Sequence, residues 1–160
     1  MNILILGAGL MQKPAILSAK ELGFTVCVID ANDKAVAIPY AHKFKKIDLK
    51  DKEGILEYAK ELQLEKNGGL AGVFTAGTDF SASVSYVCQK LSLPSHSFEA
   101  ATNASVKTQM RQCFKTHNVP SPEFFSVSKE QIQSESQINQ LLQTITSKIE
   151  YPFVVKPVDN

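Results

Sequence analysis

No stretch of this 160-residue chain approaches the roughly 20 consecutive apolar residues that span a bilayer, which excludes a membrane-helix class. An excess of one charge is also missing. The 17 Lys and Arg against 16 Asp and Glu leave a net +1, so no electrostatic argument points to nucleic acid or an anionic surface. Cysteine is scarce and odd in number. Cys27, Cys88 and Cys113 are far apart and form no C-x-x-C pair, which fits buried reduced thiols in a cytoplasmic protein. Met1-Asn2 runs directly into a strand-like segment and leaves no room for a signal peptide. There is no P-loop, Gly-x-Ser-x-Gly elbow, zinc signature or internal repeat, and His42, His96 and His117 lack metal-ligand spacing. Lys43, Lys45, Lys46, Lys50 and Lys52 form a basic run, but Asp48, Asp51 and Glu53 interrupt it, as on a solvated edge. What is present, 44% hydrophobic and 21% charged residues, is ordinary for one domain or one domain plus a piece of a second.

The first half alternates strand and helix patterns. Ile3 to Leu6 and Phe24 to Ile29 read as buried strands, Phe44 to Ile47 as an edge strand flanked by lysines, and Leu70 to Phe74 as a fourth strand. Helices are predicted over Met11 to Leu22, Lys52 to Leu64 with Asp51 as cap, and Asp79 to Leu91. This rhythm predicts an α/β fold, a Rossmann-like parallel sheet with helices on both faces. After Pro94 the pattern shifts, placing a unit boundary near residues 95 to 120. A helix over Ser105 to His117, capped by Asn103 or Ser105, precedes the stiff Asn118-Val119-Pro120-Ser121-Pro122 linker. Phe124 to Val127 has strand character. Ser128 with Gln131 and Ser134 with Gln137 fit capping boxes that open one or two amphipathic helices before Ser147.

Two strand-to-helix turns are candidate ligand edges. Gly7-Ala8-Gly9-Leu10-Met11-Gln12 resembles half of a dinucleotide fingerprint, with Asp30 at the end of the second strand where a ribose-binding acid would sit. Gln12 stands where that fingerprint requires glycine, and its side chain is expected to push helix from strand. The alternative is a tight turn without a ligand, with Asp30 as a turn or cap acid. Thr75-Ala76-Gly77-Thr78-Asp79 follows the fourth strand, where open α/β sheets bind ligands. Here the bland reading is N-capping by Thr78 or Asp79.

Lys107 falls in the first turn of its helix. Lys156 lies in Tyr151-Pro152-Phe153-Val154-Val155-Lys156-Pro157, with Phe153 to Lys156 read as a strand. An ammonium buried there costs several kcal/mol without an anion, although an alternating strand can also turn it outward. With the Ile-Leu-Gly-Ala-Gly opening (Ile5 to Gly9), the Ile29-Asp30 strand end and His117-Asn118-Val119-Pro120-Ser121-Pro122-Glu123-Phe124, these features resemble the ATP-grasp superfamily over essentially the whole chain. The likeness is to its biotin carboxylase, carbamoyl phosphate synthetase and purine-biosynthetic branch.

The resemblance implies residues 1–103 as a pre-ATP-grasp, Rossmann-like substrate domain and 104–160 as the beginning of an ATP-grasp domain. It implies acceptor-substrate contacts at Gly7, Gly9, Leu10, Asp30, Thr78 and Asp79, with Lys107 and Lys156 on ATP phosphates and Mg²⁺ assisting. No catalytic residue is assigned to this chain. The implied reaction is ligation through an acyl phosphate attacked by an amine or similar nucleophile. The partner is a small-molecule acceptor, and homodimerisation through the N-terminal unit occurs in relatives. The glycine-rich phosphate loop, adenine pocket and metal ligands of such enzymes come later than Asn160, so the chain alone is expected to be inactive and to bind ATP weakly at best. Two other functions compete: an NAD-binding oxidoreductase domain using Gly7 to Gln12 and Asp30, and a non-catalytic small-molecule-binding module.

Overall fold

A computed structural model describes residues 1–158; Asp159 and Asn160, the end of the Tyr151–Asn160 stretch, lie outside the described residues. The chain divides into two units, Met1–Ser105 and Val106–Asn160. The first unit is built on four parallel strands in the order β3-β2-β1-β4: β1 Asn2–Leu6, β2 Thr25–Asp30, β3 Lys43–Lys46 and β4 Leu70–Thr75. Three helices connect or follow them, α1 Lys13–Glu21, α2 Lys52–Gln63 and α3 Ser81–Lys90. Successive side chains of a strand face opposite sides of a sheet. Leu4 and Leu6 of β1, with Cys27 and Ile29 of β2, therefore meet α2 and α3 on one face. Ile5, Val26 and Val28 meet Ile16 and Ala19 of α1 on the other. The near-continuous apolar strands of the sequence are the direct consequence of this two-sided burial.

Helix α2 shows the local logic. Ile55, Leu56, Ala59 and Leu62 share one face and are almost fully buried, each large aliphatic contributing about 1.5–3 kcal/mol. Its start is fixed by Asp51, whose carboxylate accepts the Gly54 amide at 3.0 Å. Lysine-rich β3 occupies an edge, as its composition predicts, with Lys43 on Glu65 and Lys45 on Glu61. At the amino end of the sheet, buried Asn2 donates to the Leu62 carbonyl and to Glu65 and Asn67, pinning β1 to the end of α2.

The helix predicted over Ser105 to His117 is present as Lys107–Thr116, and a further helix that the sequence reading did not predict precedes it. Helix α4, Phe98–Ser105, closes the first unit, and α5, Lys107–Thr116, opens the second, with Val106 extended between them. Neither Asn103 nor Ser105 caps α5, because both are already turns of α4. The signal passed over is Ser97, whose hydroxyl accepts the Ala100 amide at 3.1 Å and starts α4.

In the second unit the first capping-box reading holds and the second holds in half: Ser134 accepts the Gln137 amide, while the Gln137 side chain takes the Gln133 amide and not that of Ser134. Ser128 and Gln131 open a short 3-10 turn over Lys129–Ile132, and Ser134 caps α6, Glu135–Thr146. The strands expected over Phe124 to Val127 and Phe153 to Lys156 are not strands among the described residues. A β-branched run becomes a strand only when another strand satisfies its amides and carbonyls, and neither run has such a partner here.

Candidate functional site at the carboxyl edge of the sheet

Parallel strands point all their carboxyl ends one way, so the turns after β1, β2 and β4 gather at one edge of the first unit. Gly7 leaves β1 with φ +97°, a conformation that a side chain would strain, and its amide donates to the Ile29 carbonyl of β2 at 2.8 Å. The Ala8 amide donates to Asp30 Oδ2 at 2.9 Å, while Asp30 Oδ1 accepts the Asn32 amide at the same distance. The Gly9 amide donates to Gln12 Oε1 at 2.9 Å. Three successive amides of the glycine turn are thus consumed inside the fold.

The bonds made by Gln12 are what sequence reasoning missed. Its side chain lies 5% exposed beneath the turn, with its amide nitrogen donating to the Ala76 carbonyl after β4. It thereby ties the β1 and β4 turns together. A Cβ at Gly7 or Gly9 would approach the Gln12 side chain to 3.1 Å, so both glycines make room for it. Gly77, at φ +64°, does the same for Met11, whose Cβ would lie 2.8 Å from an added methyl. The signal available in the sequence was the pairing itself, a long amide side chain three residues after Gly9 and five after Gly7.

Leu10 and Met11 remain 70% and 67% exposed at this edge. Thr78 is half-buried and Asp79 exposed. Neither caps α3: the cap position is Phe80, with no side-chain bond. Asp79 Oδ1 instead lies 3.2 Å from Ser105 Oγ, itself 3.1 Å from Ser81 Oγ. The edge therefore brings Gly7, Gly9, Leu10, Asp30, Thr78 and Asp79 into one region, while reserving the backbone of the first two and both oxygens of Asp30 for internal bonds.

This arrangement counts against a pyridine dinucleotide. The amides of Gly7, Ala8 and Gly9 already have acceptors, and the ribose-type acid is spent on holding two loops. Lys13, the nearest cation after the glycine turn, is turned away onto Tyr40, 2.9 Å from its hydroxyl and 4.0 Å over its ring.

The two lysines of the second unit are placed as follows. Lys107 is the first residue of α5, and its amide lies 3.3 Å from the Val158 carbonyl, so the segment carrying Lys156 runs past the start of that helix. Lys156 is exposed and non-helical. Among the described residues no three His, Cys, Asp or Glu are grouped to hold a metal. No helix of the described residues is long and apolar enough to cross a membrane. Burial pushes the Cys27 thiol up to about 11 and raises Cys88 as well, which leaves neither as a ready nucleophile.

No family model matches the sequence, and no curated protein matches it. Solved structures do match. Phosphoribosylglycinamide synthetase from Anaerococcus prevotii superposes with a TM-score of 0.68 at 26% identity, over 99% of this chain and 37% of that one. L-amino acid ligase from Bacillus licheniformis gives 0.71 at 21%, over 99% and 36%. N5-carboxyaminoimidazole synthetase from Staphylococcus aureus gives 0.66 at 18%, over 99% and 39%, and a complex of that enzyme with ADP also matches. The chain thus spans well under half the length of the structures it resembles. These neighbours are ATP-grasp ligases, and the fold of this chain is that of their N-terminal region.

Proposed function

We propose that this chain supplies the acceptor-substrate unit, and the first phosphate-contacting segment, of an ATP-dependent carboxylate–amine ligase of the ATP-grasp kind. The observation that carries the reading is the joined pair of turns at the carboxyl edge, Gly7 to Gln12 and Ala76 to Phe80, in a fold shared along its whole length with such ligases. The second unit contributes Lys107 and Lys156, whose ammonium groups neutralise phosphate oxygens as charge builds on them. In the reaction a substrate carboxylate oxygen bonds to the γ-phosphorus of ATP, and the bond to ADP breaks. An amine nitrogen then bonds to the acyl carbon, phosphate leaves, and the nitrogen gives up a proton.

ADP release from the product of the whole reading frame tests the proposal. Release should require both a carboxylate and an amine, and Lys156→Ala should lower it on the order of 10²-fold, as for loss of one preorganised charge-stabilising group. ADP release indifferent to both organic substrates, or to Lys156, overturns the assignment. The 160-residue chain assayed beside its Lys156→Ala form is expected to show no difference. Melting temperatures with NADH and with Mg-ATP separate the oxidoreductase reading, since a ligand that binds only the folded state raises the melting point.

A further inference from the structure

The turn that leads from α2 into β4 holds the dipeptide Asn67-Gly68, and two separate demands of the fold put these residues there. Gly68 has φ +99°, a conformation that a side chain would strain. Asn67 forms a reciprocal amide pair with Asn2: its Nδ2 donates to Asn2 Oδ1 at 2.9 Å, and its Oδ1 accepts from Asn2 Nδ2 at 3.2 Å. Asn2 is fully buried in β1, so Asn67 supplies the donor that its side-chain oxygen needs, beside a 3.9 Å contact from Cys27 Sγ. The same dipeptide is chemically labile. The carboxamide carbon of an asparagine lies within reach of the next residue's backbone nitrogen, and a glycine nitrogen has no adjoining Cβ to shield it. The Gly68 amide donates to nothing among the described residues, and Asn67 is exposed. The nucleophile is therefore free, water has access, and the Asn2 donor on Oδ1 polarises the carbonyl to be attacked. No other asparagine of the chain precedes a glycine.

We propose that Asn67 is a self-modification site, a deamidation that unfastens β1 from the end of α2. The Gly68 nitrogen bonds to Asn67 Cγ and gives up its proton, the Cγ–Nδ2 bond breaks, and ammonia leaves with that proton. Water then adds to either carbonyl of the resulting cyclic imide and breaks its bond to nitrogen, which yields aspartate or isoaspartate at position 67. Aspartate presents an oxygen where Nδ2 stood, so Asn2 Oδ1 loses its donor inside the fold. The new carboxylate also arrives beside Glu65, whose Oε2 lies 3.3 Å from Nδ2, and Lys43 on Glu65 offsets only part of the repulsion. Isoaspartate in addition lengthens the main chain by one carbon, just before the Gly69 carbonyl that accepts the Asn2 amide at 2.7 Å. Both products loosen the amino end of the sheet and leave the turns at its carboxyl edge as they are.

Ageing of the folded full chain in mildly alkaline buffer, followed by peptide mapping with mass spectrometry and enzymatic methylation of isoaspartate, tests it. Asn67 should convert ahead of Asn32, Asn103, Asn118 and Asn139, which serve as internal comparators, and the melting temperature of the aged chain should fall as the converted fraction grows. Asn67→Asp, which reproduces one product directly, should melt at least about 4 °C below the wild type, as for one buried acceptor left without its donor. In its ¹⁵N spectrum the amides of Asn2 and Gly69 should move and those of Gly7 to Gln12 should stay in place. Should Asn67→Asp not be recovered folded, the aged wild type carries the same comparison. Asn67 still intact when another of these asparagines has converted overturns the proposal, and so does an aged chain, converted at position 67, that melts with the fresh one.

Discussion

Replacing Gln12 by Ala removes, in one change, the acceptor of the Gly9 amide and the donor to the Ala76 carbonyl. Each backbone group left without a partner under a buried side chain costs about 1–3 kcal/mol, and the lost γ-methylene adds about 0.8 kcal/mol. Gly9 and Ala76 are themselves only half-buried, so water recovers part of the loss, and a total of about 2–4 kcal/mol follows. For a unit of this size one kcal/mol moves the melting point by about 4–8 °C, so the melting temperature of the variant should fall by roughly 8–30 °C. Thermal unfolding followed by circular dichroism reads this directly. Gln12→Glu sharpens the test. Its carboxylate can accept from Gly9 but cannot donate to Ala76; only the protonated acid does both. The folded-state pKa of the new acid is therefore raised above its unfolded value near 4.3. The stability carried by that proton is fully present below about pH 4.3 and is lost as pH rises through the folded pKa. At pH 7 Gln12→Glu should melt close to Gln12→Ala and should recover toward the wild type in acid. A fall below about 3 °C for Gln12→Ala, or a Gln12→Glu deficit that ignores pH, refutes the claim that this amide joins the two turns.

Glu65 accepts from Lys43, Asn2 and Asn67, and these bonds, Lys43 first, hold its carboxyl below the usual range. Its contribution is present above the unfolded pKa and is lost as pH falls through the depressed folded value. The melting-point gap between wild type and Glu65→Gln should accordingly be full near neutrality and close in acid; a gap constant with pH contradicts the network. Cys27 and Cys88 are buried with raised pKa values, whereas Cys113 is partly exposed. Thiol titration of the native chain at pH 8 should label one cysteine quickly and the other two only on unfolding. Fast labelling of more than one, or protection of Cys113, shows the burial to be wrong.

Much of the first unit was legible because its strands and helices carry their own instructions. Ile3 to Leu6 is apolar without alternation because both of its faces are covered, and Asp51 marks a helix start by chemistry that acts over three residues. Ser128, Gln131 and Ser134 were equally readable, since a cap needs only its own turn. The strand at Phe153 to Lys156 failed for the opposite reason: strand character is a property of pairs, and the sequence of one run says nothing about whether its partner is there.

The periodicity of Val, Ile and Leu and the local chemistry of caps determined the class of fold and the order of its elements. Only the tertiary structure decided what the candidate edge can hold. Asp30 and Gln12 both read as departures from, or matches to, a nucleotide motif when taken along the chain. Their use is settled by bonds that span 22 and 64 residues, to the Ala8 amide and the Ala76 carbonyl. A motif lists donors and acceptors, but which of them remain free depends on contacts between segments that meet only when the sheet assembles.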